Sequence, residues 1–142
     1  GRLTVFENGR ESRVVIEDLF ASGSTGLKNA DYEATLRQVT DALNQVPGQV
    51  IVEGHTDDEP TSATFRYQNN TELSYERART VRQVIDEGID NTGRVTIKGL
   101  GSDFPRYEPP AEYRARNRRV EIVHTTQAET VYPDFGPSDE AL

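Results

Sequence analysis

The chain has 142 residues, 34% hydrophobic and 8% aromatic, with a formal net charge of −8. That length suits one domain able to bury a core, and the negative charge argues against general nucleic-acid or anionic-membrane binding, both of which rely on positive charge. Cysteine is absent, which excludes a disulfide scaffold, a thiolate metal site and a cysteine nucleophile.

In chain order, residues 3–6 and 14–16 are short β-favouring runs around Asn8-Gly9, a strong hairpin dipeptide. Leu19-Phe20 leads into a small-residue loop over residues 21–26. Tyr32, Leu36, Val39, Leu43 and Val46 then form a helix stripe that Pro47-Gly48 ends. A buried strand follows at residues 50–53. Residues 55–72 are polar, contain Pro60 and lack periodicity, which predicts a long loop of the kind that often carries function. A second helix is expected from Ser74 as N-cap, with Leu73 and Ala78 as a hydrophobic staple. Ala78, Val81, Val84 and Ile85 continue its stripe and Gly88 is placed to end it. Residues 94–98 alternate as a third strand. An irregular connection with Gly99-Leu100-Gly101 and residues 105–110 leads to the last strand at residues 119–124, with Val120 and Ile122 on one face. Past Thr126 the pattern is lost, which predicts a frayed tail. The order predicts an α/β fold in which two amphipathic helices cover one face of a mixed sheet. It divides into a hairpin region at 1–18, a main domain at 19–126 and a tail at 127–142.

The chemistry concentrates at three places. Asp57 opens a loop just past an apolar strand, a usual place for ligand contacts, though a plain turn aspartate reads equally well there. Arg77, counted from Ser74, falls in the first turn of its helix, where the dipole disfavours a cation. It therefore needs an anion: Asp57 or Glu72 as a structural pair, or a ligand carboxylate held with the free N–H groups of that turn. A zwitterion would satisfy both residues, ammonium on Asp57 and carboxylate on Arg77. Arg118 and Arg119 point to opposite faces of a strand, so that one can reach this site while the other salt-bridges a helix.

Two other classes compete. His55, Asp57 and Asp58 could hold a metal for hydrolysis, although only one other histidine, His124, exists. Alternatively, the basic loop at residues 114–119 could meet an acidic protein partner. The acidic chain and the lack of an aromatic stacking platform argue against RNA. Ser74 and Ser24 have no flanking glycine elbow and no paired histidine, so a serine nucleophile is not expected, and no enzyme, cofactor or metal is called for.

Taken together, Gly54-His55-Thr56-Asp57, Asn70 with Leu73-Ser74 and Arg77-Ala78, Gly99-Leu100-Gly101 with Pro105, and Asn117-Arg118-Arg119-Val120-Glu121 resemble the OmpA-like peptidoglycan-binding domain. Asp58-Glu59-Pro60 and residues 65–70 look most like its flagellar stator (MotB) and type VI secretion (TssL) branches. The resemblance implies a βαβαββ sandwich that binds the diaminopimelate of the peptidoglycan stem peptide without covalent chemistry. It assigns the grip to Asp57 and Arg77 and support to Thr56, Asn70, Leu73 and Arg118. It also implies a periplasmic wall anchor within a longer membrane-tethered protein. Stator relatives dimerise, so a homodimer is compatible, although no exposed apolar face demands one. The chain lacks methionine and starts at Gly1, so it is read as a fragment or processed form whose membrane anchor lies upstream.

Overall fold

A computed structural model describes residues 2–21, 24–60 and 69–126. The anticipated frayed tail lies outside these residues, as do residues 61–68 of the proline-containing loop. Five strands form one mixed sheet in the order β1-β2-β5-β3-β4. Strands β1 (Arg2–Asn8) and β2 (Glu11–Glu17) make the hairpin around Asn8-Gly9, with Gly9 at φ 63°. The other strands are β3 (Gln49–His55), β4 (Val95–Gly99) and β5 (Arg119–Thr125). β5 lies between β2 and β3 and is antiparallel to both, while β4 runs parallel to β3.

Helices α1 (Ala30–Leu43) and α2 (Asn70–Asp86) cover one face of this sheet. Leu36 and Leu43 of α1 and Ala78, Val81, Val84 and Ile85 of α2 pack on Ile16, Val50, Val52, Val120 and Ile122. These strand residues fall at alternate positions, as the pleat requires. The βαβ crossover from β3 through α2 to β4 fixes the helix above the sheet end where the two parallel strands finish.

Three elements differ from the sequence reading. Helix α2 starts at Asn70, not near Ser74, because Asn69 is the N-cap and its side chain accepts from the Glu72 backbone N–H. α1 ends at Leu43, so Val46 falls in the turn beyond it. The connection before β5 contains a short helix, α3 (Arg114–Asn117).

The first turns of α2 lie directly on the strand ends. A Cβ at Gly54 would meet the Ser74 carbonyl oxygen at 2.0 Å. Ser74 itself is wholly buried, donating to the Thr71 carbonyl and accepting from the Gly101 N–H at 2.9 Å. Gly54→Ala is therefore expected to destabilise the fold by about 2 kcal/mol or more. Gly26→Ala, where a Cβ has only ordinary contact with Ser24, should stay within about 0.5 kcal/mol. Urea unfolding of both variants checks this, and equal midpoints would refute the close approach.

Candidate functional site

Past the end of β3 the chain turns sharply around Asp57. Its Oδ1 accepts the Glu59 backbone N–H at 3.0 Å, closing an Asx turn. Its Oδ2 accepts from Arg118 Nη1 at 2.7 Å. Thr56 is held from both sides, its N–H donating to the Gly101 carbonyl and its hydroxyl to the Asp57 carbonyl. Asn70, the first residue of α2, donates its side-chain amide to the Glu59 carbonyl at 2.8 Å. Asp58 pairs with Arg114 at 2.6 Å on the surface, and that hydrogen bond holds its carboxyl below the usual range. Three loops thus meet at one end of the sheet, tied by the 57–59 turn.

Arg118 and Arg119 do face opposite ways. Arg118 reaches Asp57, and its Nε is buried without a protein partner among the described residues. Arg119 does not salt-bridge a helix: it crosses to the other sheet face, onto Glu121 and the Asn117 and Phe104 carbonyls.

Arg77 is placed differently from its expected position. It is the eighth residue of α2, more than two turns in, so no helix-terminus penalty acts on it and no free N–H groups surround it. It is 2% exposed, with Nε on the Ser24 carbonyl at 2.9 Å and Nη2 on the Ala21 carbonyl at 3.0 Å. Its guanidinium also lies 5.2 Å from the centroid of the Phe20 ring. Arg77 thereby braces the loop after β2 against α2, while Asp57 takes Arg118 as its guanidinium. Leu73, one turn before Arg77 on α2, is buried at 4% exposure.

The OmpA family model matches residues 19–119. The chain belongs to the OmpA family. It is similar to the cell wall anchor of the T6SS from Pseudomonas aeruginosa, at 37% identity over 87% of each chain and a TM-score of 0.77. The periplasmic domain of Helicobacter pylori MotB is 25% identical over 89% of this chain and 81% of that one, with a TM-score of 0.79. The uncharacterized protein YtxE of Bacillus subtilis is 36% identical over 108 residues, which are 74% of this chain. The chain spans only 43% of the length of that curated relative.

In this OmpA-family chain His55, Asp57 and Asp58 do not converge. Asp57 and Asp58 go to Arg118 and Arg114, and His55 turns to the helix-free face of the sheet, where its Nε2 lies 3.2 Å from Glu53. That face holds an ionic network absent from the sequence reading. Glu121, 1% exposed, accepts from Arg106 through both oxygens, from Arg119 and from Arg13. Burial alone would raise its carboxyl, but the Arg106 hydrogen bonds and the Arg119 charge outweigh burial and push it down to about 2. Burial pulls Arg119 below its ordinary range as well, yet a guanidinium starts so high that it stays charged at neutral pH.

With its folded value near 2 and an ordinary value of 4.5, Glu121 contributes stability that is complete above pH 4.5 and lost as pH falls toward 2. Glu121→Gln is expected to cost on the order of 3 kcal/mol at neutral pH. It should also flatten the acid side of the stability curve. Chemical unfolding measured at several pH values checks both, and a variant whose acid profile matches the parent's would contradict the network.

Proposed function

We propose that this chain is a noncatalytic, periplasmic anchoring module that binds peptidoglycan, within a protein tethered to a membrane through a segment beyond this chain. The observation that carries it is the likeness across 87% of both chains to a protein described as a cell wall anchor. The ligand end we assign is the diaminopimelate of the stem peptide. Its ammonium would meet Asp57, shared with Arg118. Arg77 would supply positive charge toward the carboxylate and keep the loop after β2 in place. Thr56, Asn70 and Leu73 would hold the surrounding turn.

Physical features support this assignment. Asp57 is oriented by one guanidinium and one backbone N–H, so a ligand ammonium would meet a carboxylate already held in place. Each charge-assisted contact contributes roughly 1.5–3 kcal/mol, which suits a reversible attachment reinforced by many contacts to a polymer.

Retention on purified peptidoglycan sacculi tests the proposal. Asp57→Asn, which keeps the side-chain shape, should lower retention at least about tenfold, as loss of one charged contact implies. Arg77→Lys, preferred to alanine because Arg77 also braces a loop, should weaken it with the helical circular dichroism intact. Parent-level retention by a folded Asp57→Asn protein would place binding elsewhere. Release of soluble wall fragments, blocked by EDTA, would instead indicate a hydrolase.

A further inference from the structure

The helix-free face of the sheet opens into a cavity of about 500 Å³. Its charged wall is Arg13, Lys98, Arg106, Arg119, Glu53 and Glu121. Four cations stand against two carboxylates in this wall, with Glu11 paired to Arg13 as a third, so the balance stays positive in a chain whose net charge is −8.

Hydrogen bonding sharpens the imbalance. Both oxygens of Glu121 are taken by guanidiniums, and Glu53 Oε1 is shared by Arg13 and His55. Glu53 Oε2 is the carboxylate oxygen left over. On the donor side, Arg13 Nη2, Arg106 Nη1 and Lys98 Nζ have no protein acceptor among the described residues. Together these nitrogens carry several N–H groups. Phe104, 59% exposed, gives the cavity an apolar wall beside them.

Donor atoms of Glu53, His55 and Glu121 lie within 4.8 Å of one another, close enough for a metal ion. A cation there would sit among Arg13, Arg106 and Arg119 and compete with each of them for its carboxylate. The charge balance selects the opposite sign of ligand. We propose that this cavity is a second binding site, separate from Asp57, which takes a carboxylate group on a small, partly apolar ligand. Such a carboxylate is found on free organic acids and on wall peptides alike.

The test is an NMR titration of the labelled protein with succinate at low ionic strength, with neutral succinamide as the control. Saturable shifts confined to amides of residues 98–106 and 119–121, absent with succinamide, are expected. Lys98 makes no ion pair among the described residues, so its substitution leaves the Glu121 network intact. Lys98→Gln should weaken binding roughly threefold and Lys98→Glu roughly tenfold. Absent or non-saturable shifts, equal response to succinamide, or parent-like succinate binding by a folded Lys98→Glu protein would each overturn the site. The two proposals separate in Asp57→Asn, which should lose sacculus retention and keep the succinate shifts. Given those shifts, a soluble wall peptide that moves the same amides in Asp57→Asn identifies the wall as the source, and one that does not identifies a free acid.

Discussion

Glu121 carries its charge almost entirely out of water, on the strand at the middle of the sheet, and its three guanidinium partners arrive from three directions. Arg13 comes from β2, Arg119 from β5 itself and Arg106 from the connection after β4. Without Glu121, the buried Arg119 would lose its counter-charge, whereas the part-exposed Arg13 keeps Glu11 and Glu53, so Glu121 is the member on which the set depends. Arg106 pins its connection against the sheet, and Asn117 pins it again, its side chain accepting from the Arg106 and Tyr107 N–H groups and donating to the Tyr107 carbonyl. Asn117 immediately precedes Arg118. The ion network therefore fixes the turn from which Arg118 reaches Asp57.

Two faces of one sheet divide the work. The helix side supplies the apolar burial that drives folding, and α2 rests on β3 and β4 closely enough that glycine is needed at the contact. The other side is polar and covered by a strap of connection, with Arg116 and Tyr107 holding Glu17 as a second fastening. Arg77 belongs to the first kind of device despite its charge: buried, stacked near Phe20 and bonded to carbonyls. Through Ala21 and Ser24 it ties the chain after β2 to α2.

Much of this was legible in the residues because the signals were local. Asn8-Gly9 marked the hairpin, and the stripes through Leu36 and Val81 marked the helices and the face they bury. The alternation at Val120 and Ile122 placed β5 and sent Arg118 and Arg119 to opposite sides. The start of α2 was missed although Asn69 and Glu72 stand at capping-box spacing. Ser74 with its apolar neighbours was the stronger-looking cap, and the error moved Arg77 into a first turn it does not occupy. The four residues of α3 are too few to show a period. The Glu121 network was hidden for another reason. Polar residues alternating along β2, β3 and β5 look like a solvated face, and only a non-local connection covering them turns them into a buried cluster.

Under the proposed function, a doubly charged amino acid is recognised at the end of the sheet, with Asp57 and Arg77 serving its opposite ends. Calorimetric titration with a soluble stem peptide containing diaminopimelate, against the same peptide containing lysine, tests it most directly. Lysine keeps the ammonium and lacks the carboxylate beside it. The first peptide is expected to bind, and the second to bind at least about tenfold more weakly. Equal affinity for the two would contradict it.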